Sequence, residues 1–342
     1  MDSYSEYGWQ MVKKKKERVK EKRLAFSQKQ LIVVSITLSL TIAIVFTIFA
    51  LQPTDIPFSL KAAIIDQLGT DPLMTNYTFV ENAKNLLKSR NFDVTYYNKS
   101  LDVNFFKELT KLNSGIIILR VHSALRNDNS TVDLFTSEEY SSGKYEYEKK
   151  QDLVVIGQYL YTNETKSYYA ITYKFIESLE GAFPKSIVIA MGCWSLKPEC
   201  QQLAEAFIKK HAKAYIGWTS AILSKDTDQD IITFLERLLI QNKTLKDSVA
   251  NLEHTYYDPK LNQKVTTRMN FYPQGEADLR ISDLFAEVKS SKSSAMLSLD
   301  DLPIFMDKVE FKNCLLVADN ASKLHCKVDG GGYHHLSSFF AV

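Results

Sequence analysis

Cysteine is scarce in this chain, with four in 342 residues. That excludes a disulfide-stapled scaffold, and a chain of this length can bury a core that needs no staples. Glycine, at 12, and proline, at 8, are also sparse, which excludes collagenous and Pro/Gly-rich low-complexity architectures. No internal repeat is present. The regular Cys/His spacing of a zinc site is missing too: His325, His334 and His335 lie near Cys326 but irregularly, so no metal is expected. Gly330 to Gly332 has no strand and helix around it and reads as a turn, not a phosphate loop. No cofactor is implied.

A large excess of one charge is missing as well, the formal net charge being +2. That balance hides an asymmetry. Residues 1 to 30 carry nine basic and four acidic groups, or +5, which leaves −3 for the remainder. An acidic remainder argues against nucleic acid as a partner.

What the chain does have is one long apolar run. Residues 31 to 51 contain no charge, and 21 residues at about 1.5 Å each cover the ~30 Å hydrocarbon of a bilayer. Nine Lys/Arg against two Glu lie between Lys13 and Lys29, whereas Lys61 is the one basic residue in the 20 that follow Leu51. The positive-inside bias therefore predicts a cytoplasmic tail (1–30), a transmembrane signal-anchor (31–51) and a large extracytoplasmic part. The run exceeds a signal peptide's usual apolar core, and no small-x-small cleavage site follows it. Lys13 to Lys16 then serve as an orientation signal that also meets anionic headgroups. Six sequons, at Asn76, Asn98, Asn129, Asn163, Asn242 and Asn320, are glycosylation candidates in keeping with an outside location.

From Leu60 onward short apolar runs alternate with amphipathic stretches at the pace of βα units. Lys61 to Ile65, Asp93 to Tyr97, Ile116 to Val121, Ile187 to Met191 and Lys213 to Gly217 read as strands. The third is apolar on both faces, as a central parallel strand must be. Helices are predicted over residues 76–90, 105–112 and 199–210, from Asp226 with that carboxylate as its cap, and from Asn242 to Tyr257. Between the third and fourth strands, residues 130–175 read as a β-rich insertion. Past Leu284 the pattern dissolves into the serine-rich Ser290 to Ser294, and residues 286–342 read as a linker and a small β appendage. There Cys314 and Cys326 stand 12 apart, a spacing that allows a disulfide across a hairpin. The expected fold is three-layer α/β/α over residues 52–285, with a mostly parallel central sheet.

Two residues mark a candidate site. His122 closes the run from Gly115 to Val121, and Cys193 closes the run from Ser186 to Gly192. Ligand crevices of open parallel sheets lie at the carboxyl ends of the strands, where an imidazole and a thiol can meet as base and nucleophile.

The order Val-His122-Ser-Ala then Met-Gly-Cys193-Trp, followed by residues 203–207 (LAEAF) and 212–218 (AKAYIGW), resembles the caspase-hemoglobinase fold of clan CD cysteine peptidases. It is similar to gingipain, clostripain and caspase types, and to membrane-anchored archaeal proteins of this general kind. The resemblance covers residues 60 to 257. It implies strand order 2-1-3-4-5, catalytic Cys193 and His122, and an oxyanion site at the backbone N–H groups of Ser123 and Cys193. That order brings Asp66, ending strand 1, near enough to orient the imidazole. Asp226 and Asp228, beyond strand 5, are candidates for selecting a basic substrate side chain. The implied partner is a peptide or protein, which is either cleaved or, in a catalytically inactive relative, only bound. Three departures stand out: Ser123 replaces a glycine common after the His, Trp194 follows the Cys, and Cys200 lies close enough in sequence to consume the thiol in a bridge.

Overall fold

A computed structural model describes residues 56–158, 166–258 and 262–294, together with three strands between 314 and 335. The chain divides after Thr54. The first unit, with the tail and the apolar run at 31–51, lies outside the described residues. Among the described residues no helix is long and apolar enough to cross a membrane.

The second unit begins with β1 (Lys61–Asp66), α1 (Tyr77–Lys88), β2 (Asp93–Tyr97), α2 (Val103–Lys107) and β3 (Ile116–Arg120). The insertion follows: β4 (Ser123–Leu125), β5 (Val132–Glu139), α3 (Glu146–Lys150), β6 (Val154–Gln158) and β7 (Ser167–Ile171). Then come α4 (Tyr173–Ser178), β8 (Ile187–Ala190), α5 (Gln202–Lys209), β9 (Ala214–Trp218) and α6 (Ser224–Leu235), which runs into a π-helical turn. Next are α7 (Leu245–Val249), β10 (Glu253–Asp258), β11 (Gln263–Tyr272) and α8 (Ile281–Ser294). Finally β12 (Cys314–Ala318), β13 (Leu324–Val328) and β14 (Gly332–His335) form an antiparallel sheet of their own.

The main sheet has the order β10-β11-β9-β8-β3-β1-β2. Its five strands from β2 to β9 are parallel; β11 runs antiparallel to β9, and β10 antiparallel to β11. The expected 2-1-3-4-5 order is therefore present. Side-chain alternation splits the core into two layers. Ala62, Ile64, Ile118 and Ile189 pack with α1, α6, α7 and α8, while Ala63, Ile65, Ile117 and Val188 pack with α2, α4 and α5. The central strands β1, β3, β8 and β9 are buried on both faces because a helical layer covers each side.

Three sequence expectations need correction. Residues 242–257 are not one helix: the chain makes the short α7 and then turns into the edge strand β10. The β-branched and aromatic run His254-Thr-Tyr-Tyr257 favours a strand, and it pairs with β11, a strand the sequence pattern did not reveal. Regular structure also does not dissolve past Leu284, since α8 continues through the serines to Ser294, with Phe285 and Val288 packed against the first core layer. Asp226 is not the cap of α6: that helix starts at Ser224, with Leu223 in the cap position and no side-chain cap bond.

The insertion is a four-stranded antiparallel sheet of order β4-β5-β7-β6. It begins at the residue after His122, which places His122 at the joint between the two sheets.

Candidate functional site at the strand ends

The β3–β8 ladder ends with Leu119 paired to Ala190. His122 and Cys193 each lie three positions beyond that pair, so two neighbouring strands deliver them to the same level. Ser123 ties the two ends together, its hydroxyl donating to the Cys193 carbonyl at 2.6 Å. Gly192 makes that approach possible, because a Cβ there would sit 2.2 Å from Ser123 Oγ and 2.7 Å from the Val121 carbonyl. Ser123 is thus a strut between strands.

The backbone around His122 is held on both sides. Its N–H donates to Gln67 Oε1 at 3.0 Å, and its carbonyl accepts from Phe135 N–H of β5 at 2.8 Å. Gln67 N–H in turn donates to the Arg120 carbonyl at 3.0 Å. Burial pushes the imidazole pKa down from its ordinary 6.5 to about 4; the Asp71 charge opposes this and the Arg120 charge adds to it. The ring is therefore neutral at pH 7 and, with its pKa this low, a weak base.

Cys193 is half-buried against the first core layer. Its Sγ donates to the Ile222 carbonyl and accepts from the Ile222 N–H, both at 3.4 Å. Burial raises the thiol pKa above its usual value, partly offset by the Ile222 backbone. The next residue, Trp194, has φ +54°, a left-handed conformation costly for a bulky side chain. Its N–H donates to the Ser220 carbonyl at 3.0 Å, and Ser195 Oγ bridges the Ala190 carbonyl and the Trp218 N–H, each at 3.0 Å. The chain leaves β8 through a tight turn in which Cys193 packs against the core and the Ile222 backbone. Cys193 and Cys200 are both free. Cys200 is buried and donates to the Asn129 carbonyl at 3.2 Å, so no bridge consumes the thiol.

Asp66 is at the end of β1 as expected, but its carboxylate turns elsewhere. Oδ1 accepts from Arg120 Nη1 at 2.8 Å and from Gly69 N–H at 2.8 Å, and Oδ2 accepts from the Tyr96 hydroxyl at 3.0 Å. The in-register pairing of Asp66 with Arg120 is the reason. Asp228 is spent in the same centre, its two oxygens accepting from Arg120 Nε and Nη2 at 2.8 Å each, and Oδ2 also from Asn76 Nδ2 at 2.9 Å. A second Arg120 Nη2 bond reaches the Met74 carbonyl at 2.7 Å. Burial alone would lower the Arg120 pKa, but Asp228 and then Asp66 outweigh it and hold the guanidinium charged. Asp226 accepts from the Tyr256 hydroxyl at 2.6 Å, and Asp230 meets His254 Nε2 at 2.8 Å.

Arg120, Gln67 and Asp71 are the residues that sequence reasoning missed. The signal for the first was present: a lone cation in a strand predicted to be buried on both faces demands buried counter-charges. Nothing local marked the other two.

The sequons differ in setting. Asn76 caps α1 by accepting from Phe79 N–H at 3.0 Å, and its amide nitrogen, where a glycan would attach, is bonded to Asp228. Asn98 and Asn242 are half-buried, and Asn129 is exposed. Asn163 and Asn320 lie outside the described residues. Cys314 pairs across the ladder with Val328, and Cys326 with Leu316 and His334. Their side chains, like those of His325 and His335, lie outside what is described. Among the described residues no group of His, Cys, Asp or Glu is arranged to hold a metal.

No protein-family model matches this chain, and no curated protein is similar to it.

Proposed function

We propose that the strand-end crevice is a cysteine-peptidase site of the caspase-hemoglobinase kind, with Cys193 as nucleophile and His122 as base. The observation that carries this reading is the placement of the two residues three positions past the last pair of neighbouring parallel strands. The depressed imidazole pKa leaves the ring unprotonated at pH 7 but a weak base, so the reading rests on placement. As a peptide enters, His122 takes the thiol proton and the thiolate adds to the scissile carbonyl. The backbone N–H groups of Cys193 and Ser123 are the proposed donors to the oxyanion. The imidazolium then protonates the leaving amine, and water, deprotonated by the same ring, releases the acid. The charge pattern around residues 31–51 supports an extracytoplasmic placement on a membrane anchor.

A second reading, recognition without cleavage, is favoured by the hold of Ile222 on the thiol and by the raised thiol pKa. An electrophilic peptide separates them. Cleavage chemistry requires covalent labelling of Cys193 that slows at least ~100-fold in His122→Ala, the lower end of the usual scale for losing a general base. Labelling that ignores His122 would leave recognition alone. Protease added to intact cells tests the placement: digestion of the large domain is expected, and its protection would overturn the topology.

A further inference from the structure

We propose that Gln67 is a positioning residue for the base, its side-chain carboxamide replacing a missing rung of the main sheet and so fixing the backbone that carries the His122 imidazole. This rests on the peptidase reading above and says how that site is held. The β1–β3 ladder ends with Asp66 paired to Arg120. Its evenly spaced bonds continue one step further, where Gln67 N–H donates to the Arg120 carbonyl at 3.0 Å. The next rung of a parallel ladder would run from His122 N–H to the Gln67 main-chain carbonyl. That carbonyl has turned away. Gln67 is already helical, at φ −68° and ψ −33°, and its carbonyl accepts from Thr70 Oγ1 at 2.7 Å and from Thr70 N–H at 3.3 Å. Gln67 Oε1 supplies the lost acceptor, 3.0 Å from the His122 nitrogen.

Burial gives that one bond its weight. Gln67 is 5 % exposed, so water is poorly placed to take over the N–H if the carboxamide is lost, and an unpaired buried donor drives the backbone to shift. On its other side His122 is tied to the insertion sheet through Phe135, so a shift would strain the joint between the sheets. The turn that begins at Gln67 also carries Asp71, whose N–H donates to the Leu68 carbonyl at 3.1 Å and whose charge opposes the effect of burial on the imidazole. Gln67 thus holds the base and starts the turn that carries this anion. A reacting group displaced by about 1 Å loses on the order of 100-fold in rate.

The test uses the full-length protein in detergent and a pool of peptidyl acyloxymethyl ketones with Leu, Phe, Arg or Asp beside the reactive carbon. Labelling of Cys193 is followed by mass spectrometry, with iodoacetamide alkylation and the melting temperature reporting that each variant is folded. Gln67→Leu removes the acceptor and is expected to slow peptide labelling about tenfold or more, whereas Gln67→Glu keeps an oxygen at the same reach and should stay within about threefold of wild type. Gln67→Asn, one methylene short, takes the place of the leucine variant if that variant does not fold. The decisive comparison is made without the base. In a His122→Ala background, Gln67→Leu should cause no further slowing, because a residue that acts through the imidazole has nothing left to position. Equal slowing in both backgrounds, no slowing in the first, or a glutamate variant as slow as leucine overturns the positioning role while leaving the peptidase reading standing. Failure of every peptide probe on a thiol that iodoacetamide alkylates overturns the peptidase reading itself, and the positioning role with it.

Discussion

Replacing Arg120 by methionine keeps much of the side-chain volume and removes the cation from between two buried carboxylates. The side chains of Arg120, Asp66 and Asp228 are 1 %, 0 % and 5 % exposed, so solvent screens none of them. The guanidinium makes four bonds of 2.7 to 2.8 Å, three to carboxylate oxygens and one to the Met74 carbonyl. Breaking a buried pair from one side costs about 3–5 kcal/mol, because the remaining charge is left uncompensated. Against a total domain stability of roughly 5–15 kcal/mol that is a large fraction. Burial disfavours the charged form of a carboxylate, so the folded variant is expected to hold protons that its unfolded chain has released. Its stability deficit should therefore grow as pH rises and shrink as pH falls. Urea unfolding of wild type and Arg120→Met at pH 7 and pH 5 measures this. A deficit near 3–5 kcal/mol at pH 7 that narrows at pH 5 is expected. The triple variant Arg120→Met/Asp66→Asn/Asp228→Asn, with no stranded charge, should recover more than half of it. A deficit under about 1 kcal/mol at pH 7, or one that does not narrow, would refute the reasoning.

His122 should titrate near pH 4 by NMR; because its folded pKa is depressed below the ordinary 6.5, its contribution to stability is present above 6.5 and lost as pH falls toward 4, and a midpoint near 6.5 would contradict the buried setting. Alkylation of Cys193 without substrate should keep rising past pH 8 because burial raises the thiol, whereas a plateau near neutrality would mean a preformed thiolate. Asn76→Ala loses the α1 cap and a bond to Asp228 and should cost about 1–3 kcal/mol in a denaturation experiment, with the exposed Asn127→Ala within ~0.5 as the comparison. Gly192→Ala forces a Cβ against Ser123 and the Val121 carbonyl; a loss of about 1–3 kcal/mol is expected, and an unchanged melting temperature would show that the strand ends do not close as described.

The central strands were legible because their cause is local. Residues 61–65, 93–97, 116–121 and 187–191 are short runs rich in apolar or β-branched residues, and the structure pairs them as β1, β2, β3 and β8. The amphipathic helix before β2 was equally plain, with Phe79, Ala83 and Leu87 buried on one face. At residues 253–257 and 290–294 composition and context disagree. Residues 253–257 became a strand because β11 lies beside them, and 290–294 stayed helical at the end of a helix anchored by Ile281 and Leu284. Neither partner is visible in a local window.

Sequence by itself determined that His122 and Cys193 end apolar strands, because hydrophobic period and strand length are properties of the chain. Only the tertiary structure decided what surrounds them. Asp66 lies in register with Arg120, and Asp228 reaches the same guanidinium from a helix 108 residues away in the chain. Together they become a buried charge centre, where sequence had suggested an orienting group and a specificity group. The physical reason is that a buried cation must find its anions wherever packing brings them, and that distance in space is not encoded in spacing along the chain.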